Sequence, residues 1–340
     1  MKLFDTQPKS DPRYLYGREK ELETLVQYLK QKDWVILLGP RRVGKTSLAR
    51  CAITKLGYKN IVIDARENSN FMQSLMSSLK ESRASLGLRA EIKIPHVSLN
   101  LGVSYNKVFL KEGLNAVLGK TKRLFILVDE AQWLSNPRGV TMILAHIYDY
   151  YYDKVTFVIT GSTIGVMKSI IEPGAKSPLY GRAITKMDVK RWGTTVSLGF
   201  LKAGTKEVGL EMDTKTGILV EENLDGLPGW LTLFGYNYTH LKNPNPALKE
   251  TIKEAKKIVA QELESIGKLG IGSERLIVVV KALAQGHTRF ADLIEETGFN
   301  NTSLSKYMST LNKLGYVDKD NKGNYAISDP ILEQLIKEKL

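Results

Sequence analysis

From Trp34 to Leu198 the chain repeats one pattern, a short apolar run followed by a stretch with apolar residues three and four apart. Trp34–Leu38, Ile61–Asp64, Leu124–Asp129, Val155–Thr160 and Thr195–Leu198 are short and rich in β-branched residues, which predicts buried strands. Between them, Thr46–Leu56, Ser69–Lys80, Lys107–Leu118, Val140–Tyr150 and Ile164–Ile171 carry helical spacing. This alternation predicts an α/β fold, a parallel sheet flanked by helices on both faces. Leu86–Tyr105 departs from it, and its short alternations (Ile92, Ile94; Val97, Leu99, Leu101, Val103) predict a small hairpin inserted before the third strand.

Ile171–Gly193 reads as loop, with Glu172-Pro173-Gly174 and Ser177-Pro178 as breakers. A mostly helical region follows to Gly270 and ends in a charged amphipathic helix, Pro246–Ile266. After Gly270-Ile271-Gly272 come a helix at Glu274–Ala284, a short one at Phe290–Glu296, and a turn at Thr297–Asn300. A third helix, Thr302–Leu314, takes Asn301 as its N-cap. Gly315-Tyr316-Val317 and Asn324–Ile327 flank the polar tip Asp318–Gly323 as strands flank a hairpin, completing a winged-helix order. The expected organisation is a sheet domain over residues 1–193, a helical lid over 194–270 and a winged-helix domain over 271–340.

The first strand runs into Gly39-Pro40-Arg41-Arg42-Val43-Gly44-Lys45-Thr46, followed by Ser47 and a helix. This is the phosphate-loop pattern G-x-x-x-x-G-K-[ST]. Its backbone N–H groups cradle phosphates, the lysine reaches the β- and γ-phosphates, the hydroxyl ligates Mg²⁺, and the helix dipole adds to the pull. A second piece, Leu124–Glu130, ends a buried strand in two carboxylates. Asp129 is placed to hold Mg²⁺ opposite Thr46, and Glu130 to take a proton from attacking water. Ile159-Thr160-Gly161-Ser162 puts hydroxyls at the same sheet edge, so Thr160 or Ser162 is a candidate to sense the γ-phosphate. Arg182 is a candidate to neutralise charge on the transferred phosphoryl group.

Together these pieces resemble the archaeal-type ATPases of the signal-transduction branch of AAA+-like phosphate-loop proteins, relatives of archaeal origin-recognition ATPases. The resemblance is carried by Tyr16-Gly17-Arg18-Glu19-Lys20-Glu21-Leu22, Gly39–Thr46, Asp64-Ala65-Arg66 and Val128–Trp133. Ile159–Ser162, Leu179-Tyr180-Gly181-Arg182 and Gly226-Leu227-Pro228-Gly229-Trp230-Leu231 extend it. It implies that the segment ending in Tyr16, Gly17 and Arg18 packs on adenine, so the cofactors are ATP or ADP with Mg²⁺. It also implies that Pro228 sets the lid against the base, and that Arg182 acts on its own nucleotide or a neighbour's. The implied function is a slow ATP-hydrolysing switch coupled to the winged helix; an ATP-controlled DNA-binding protein and an ADP-holding scaffold are the alternatives.

A net charge of +13 invites an acidic partner. Residues 241–340, however, hold 15 lysines and arginines against 13 acids, so the excess lies elsewhere. The third helix of the winged unit offers Ser303, Ser305, Lys306, Ser309, Asn312 and Lys313 but no arginine. Sequence-specific DNA contact, nonspecific DNA contact, and packing on a protein partner or a second copy all stay open for it. One cysteine, Cys51, excludes an internal disulfide and suits a reducing cytoplasm. The four histidines lack ligand spacing, and neither a signal peptide nor an apolar membrane-length run is expected.

Overall fold

The computed structural model describes residues 2–86, 103–161, 166–266, 273–313, 316–320 and 322–338. In chain order its first half contains α1 (Glu19–Lys30), β1 (Val35–Leu38), α2 (Lys45–Leu56), β2 (Lys59–Asp64), α3 (Phe71–Ser85), α4 (Val103–Leu118), β3 (Leu124–Asp129), α5 (Pro137–Tyr151), β4 (Val155–Thr160), α6 (Val166–Ile171) and β5 (Thr185–Asp188). Four helices follow: α7 (Thr194–Glu207), α8 (Thr214–Leu224), α9 (Pro228–Leu241) and α10 (Pro244–Ile266). The C-terminal module contains α11 (Ser273–Ala284), α12 (Phe290–Thr297), α13 (Asn301–Lys313), β6 (Val317–Lys319), β7 (Tyr325–Ile327) and α14 (Pro330–Lys337). No helix among the described residues is long and apolar enough to cross a membrane.

The first five strands form one parallel sheet in the order β2-β3-β4-β1-β5. Successive side chains on a strand point to opposite faces, so each buried strand feeds two cores. Ile36, Ile126, Val128 and Phe157 pack on one face with α3 to α6. Val35, Leu37, Phe125 and Leu127 pack on the other with α1 and α2. That second core continues through Phe200, Leu231 and Phe234, then through Val279, Leu304 and Ile331 of the C-terminal module. Phe4 anchors the N-terminal segment to it: wholly buried, its ring fills the space a side chain would need at Gly204 and Gly235.

The fifth strand differs from the expected one. Thr195–Leu198 is not a strand but the first turn of α7, whose buried residues Ser197, Phe200, Leu201, Gly204 and Thr205 keep helical spacing. The β-branched start imitated a strand, and the period of the following residues overrides it. The actual fifth strand, Thr185–Asp188, lies inside the stretch read as loop; as an edge strand it alternates half-buried and exposed residues and carries no apolar run. Of the expected hairpin at Leu86–Tyr105, residues 87–102 lie outside the described residues, and Val103–Tyr105 open α4 instead.

The C-terminal module has the expected order of three helices and a two-stranded antiparallel ribbon. Asn300, not Asn301, caps α13: its Oδ1 accepts the Ser303 N–H at 2.8 Å, because the helix starts one residue early. Helix α14 was not expected from the sequence. Asp329 caps it, accepting from the N–H groups of Ile331 and Leu332, with Pro330 in its first turn.

Candidate nucleotide site

The carboxyl ends of β1, β3 and β4 bring Gly39, Asp129 and Thr160 to one edge of the sheet, the edge where ligands of such sheets bind. Gly39 has φ +139, and a side chain there would strike the Val189 carbonyl, so the chain leaves β1 through a position only glycine fills well. Lys45 opens α2 and folds back over the loop, its Nζ donating to the carbonyls of Gly39 (2.8 Å) and Pro40 (2.6 Å). Burial lowers its pKa to about 8 against the pull of Glu130, with Arg41 adding repulsion.

Asp129 accepts from Thr46 Oγ1 at 2.9 Å and, through a short contact, from Thr160 Oγ1. Burial raises its pKa, and those two hydroxyls oppose the rise. A hydroxyl and a buried carboxylate in contact are hard oxygen donors that could hold Mg²⁺ together with phosphate oxygens and water. Among the described residues no group of three or more His, Cys, Asp or Glu side chains forms a metal cage. Glu130 follows in a left-handed conformation, φ +53. Its N–H donates to Thr160 Oγ1 at 3.3 Å, and its carboxylate accepts from Gln132 Nε2 at 2.5 Å. Ser162, the other candidate hydroxyl, lies outside the described residues.

A cavity of about 370 Å³ opens beside the loop, of a size for a nucleotide-class ligand. The loop from Val43 to Ser47 forms its floor, Tyr14, Leu15 and Tyr16 one wall, and Pro228 at the head of α9 another. Tyr16 meets Trp192 and Phe200 edge to face, at 6.1 and 5.6 Å. Arg18 also lines the cavity, but its guanidinium is spent on structure, donating to the Val43 carbonyl at 3.0 Å, to the Lys190 carbonyl and to Glu21. Gly17 (φ +63) turns the chain between them. Ser47 Oγ accepts the Lys9 N–H at 3.0 Å, so the N-terminal strap Asp5–Lys9 closes a side of the cavity that sequence reasoning missed.

The side chains of Arg41 and Arg42 reach from the loop to carboxylates of α10 and the C-terminal module, and Arg42 and Glu262 both line the cavity. Arg42 lies 2.6 Å from Glu262 and 3.7 Å from Asp329; Arg41 lies 3.5 Å from Glu262 and 4.0 Å from Glu130. The Arg42 guanidinium stacks on Trp230 at 3.9 Å, and the Gly229 N–H donates to its carbonyl at 2.9 Å. Tyr316 donates to Glu262 at 2.8 Å. Burial works against the charge of Glu262, yet Arg42 and Arg41 hold its pKa below the usual range, whereas burial dominates at Asp329 and raises it. Glu262, Asp329, Tyr316 and Gln132 were not singled out from sequence. Only Gln132 had a local signal, lying beside the Asp-Glu pair.

Arg182 is not brought to this site. It pairs with Asp149 at 2.6 Å and donates to the Pro178 carbonyl, where the strands begin rather than end. Four residues of β1 alone span about 13 Å, so a role on its own chain's phosphates is corrected by distance.

Comparisons with known proteins agree with this geometry. The chain matches no curated protein sequence. It is similar to a Walker-type ATPase of Pyrococcus abyssi, 26% identical with a TM-score of 0.82 over 98% of this chain and 99% of that one. The ORC2 protein of Aeropyrum pernix, solved as ADPNP and ADP complexes, shares the fold at 14% identity and TM-score 0.64, covering 99% and 98% of the two chains. The Aeropyrum pernix ORC1 protein, solved with DNA, is 16% identical with TM-score 0.52, covering 96% and 94%. A family profile described as an ATPase domain predominantly from Archaea matches residues 15–234, the span that holds the phosphate loop, Asp129 and Pro228. The chain belongs to this archaeal-type family of P-loop ATPases.

Proposed function

We propose that the protein is an ATP-hydrolysing switch that couples nucleotide state to its C-terminal winged-helix module. The observation that carries the coupling is the double role of the phosphate loop. The loop that would hold the phosphates also supplies Arg41 and Arg42 to Glu262 and Asp329. Lys45 would hold the β- and γ-phosphates, exchanging its two loop carbonyls for phosphate oxygens. Thr46 and Asp129 would hold Mg²⁺, which when bound neutralises phosphate charge. Glu130, oriented by Gln132, would accept a proton from the attacking water. Tyr16 and Pro228 would bracket adenine. A polyphosphate beside Arg41 and Arg42 competes with Glu262 for their charge, which links the ligand to the module.

A second reading, ATP-controlled DNA binding, is favoured by one observation. Helix α13 buries Leu304, Tyr307, Met308 and Leu311 and leaves Thr302, Ser305, Lys306 and Ser309 exposed. The test of the main reading is nucleotide binding and turnover in two variants. Lys45→Ala should lose ATP binding, while Glu130→Gln should bind ATP and lose turnover. Equal ATP affinity in wild type and Lys45→Ala overturns the assignment. Tight ADP with negligible phosphate release in the wild type would favour a nucleotide-holding scaffold instead.

A further inference from the structure

The positive excess of the chain lies in residues 1–240, and part of it gathers at the edge of the sheet opposite the phosphate loop. There the connections entering neighbouring strands lie side by side. Lys59 pairs with Leu124 and Leu124 with Val155, and the Leu124 N–H donates to the Lys154 carbonyl at 2.9 Å. Lys32, Lys120, Lys122 and Lys154 are exposed on these connections, and none forms an ion pair among the described residues. Asp33, Asp153 and Glu172 are acids on the same connections, while Asp149 is taken up by Arg182. A lysine in the last turn of a helix offsets the macrodipole. Lys120, Lys122 and Lys154 instead lie beyond the ends of α4 and α5. Lys32 occupies a left-handed position, φ +71, that favours glycine, so turn geometry does not account for it.

The same edge carries flat apolar faces. Tyr58, Tyr150 and Tyr180 are 39%, 71% and 60% exposed, Tyr58 and Tyr180 on the connections before β2 and β5 and Tyr150 in the last turn of α5 before β4. Two of them are propped from behind, Tyr58 by Phe125 at 5.7 Å and Tyr150 by His146 at 4.7 Å. Beneath them Arg123 is buried, stacked over Phe125 at 5.2 Å and donating to Thr156 Oγ1 at 2.8 Å, which adds a fixed positive charge. Five strands about 4.8 Å apart make this edge about 19 Å wide, room for roughly five phosphates at about 3.4 Å along a stacked strand.

We propose that this edge is a binding surface for single-stranded nucleic acid, with lysines on phosphates and tyrosines on base faces. Ammonium point charges contact phosphate without reading bases, so recognition is independent of sequence. The surface is separate from the nucleotide cavity and from the exposed face of α13.

The test uses the full chain without nucleotide and a labelled oligothymidylate of about twenty nucleotides, titrated from about 50 to 200 mM salt. Replacing Lys120, Lys122 and Lys154 together by glutamine should weaken binding at least about tenfold and flatten the log–log salt slope by about 2, near 0.7 per lysine lost. The triple arginine variant, which keeps the charge, should retain affinity. Tyr150→Ala should weaken binding about fivefold or more with the slope unchanged. Ser305→Ala with Lys306→Ala in α13 should leave binding intact. The proposal is overturned if the intact chain does not bind at low salt or the glutamine variant binds as the wild type does. It is equally overturned if a duplex of equal length binds more tightly, or if phosphatidylserine vesicles bind and the oligonucleotide does not.

Discussion

Arg42 of the phosphate loop lies 2.6 Å from Glu262 of α10, and both side chains are largely withdrawn from water. The pair makes one carboxylate answer to two parts of the molecule, since Glu262 also accepts from Tyr316 at the start of the C-terminal ribbon. Arg41, beside Arg42, reaches both Glu262 and Glu130. The phosphate loop and the C-terminal ribbon thus share one carboxylate.

Glu262→Gln should cost up to about 3–5 kcal/mol of stability, because it takes from two buried guanidinium groups the nearer of their carboxylates and leaves only Asp329 and Glu130. Tyr316→Phe, which removes one hydrogen bond to the same group, should cost about 1 kcal/mol. Denaturant melts of the two variants and their double variant check this. Additive losses would mean that the pair does not act as a network.

Affinity for ATP should fall as pH rises. The folded pKa of Lys45 is near 8 against an ordinary 10.5, so the protonated form that binds phosphate is lost above about pH 8. Binding at about pH 9 should be roughly tenfold weaker than the low-pH limit and should take up a proton, which calorimetry in buffers of unlike ionisation heat measures. Stability has the opposite sign. Between about 8 and 10.5 the unfolded chain keeps a proton that the folded site has released, so folding gains as pH rises through that window.

Thr160→Val keeps shape and removes the hydroxyl that donates to Asp129 and accepts from the Glu130 N–H. Turnover should fall about tenfold to a hundredfold while ATP affinity changes little, because both carboxylates lose their alignment. Steady-state kinetics with a separate binding titration will show it; a change confined to affinity would contradict the role.

Gly226→Ala should lower stability by about 1–3 kcal/mol. The position has φ +57, and an added methyl would meet the Trp192 carbonyl, whose own N–H donates to the Gly226 carbonyl at 2.9 Å. Thermal melting checks the loss. Gly57→Ala gives the comparison, because its φ is also positive (+69) but nothing lies within contact of the added methyl.

Most of the sheet and the heart of the site were legible because their signals are local. Gly39, Gly44, Lys45 and Thr46 must be neighbours to wrap a phosphate, and Asp129 and Glu130 end an unbroken apolar strand. What escaped depends on distant partners. Lys186 and Asp188 make β5 look polar because it borders only β1. Thr195 and Val196 resemble a strand until the burial of Phe200 and Leu201 is known. Glu262 and Asp329 are ordinary surface-like acids in sequence, and only the tertiary fold sets them against Arg42. The place of Arg182 in its own chain escaped for the same reason, since its motif position does not reveal that it pairs with Asp149 where the strands begin.

The continuous core has a consequence for any movement of the C-terminal module. Ile331 and Leu332 of α14 and Ala255 and Val259 of α10 are almost wholly shielded from water, all within one apolar cluster. Parting α14 from α10 therefore uncovers greasy surface on both sides, at about 25 cal/mol for each Å² exposed. Such an opened form would be short-lived by itself and sticky toward other molecules. Its lifetime would be set by whatever comes to cover the bared surface, so the exposed helices would serve as an advertisement that the switch has been thrown.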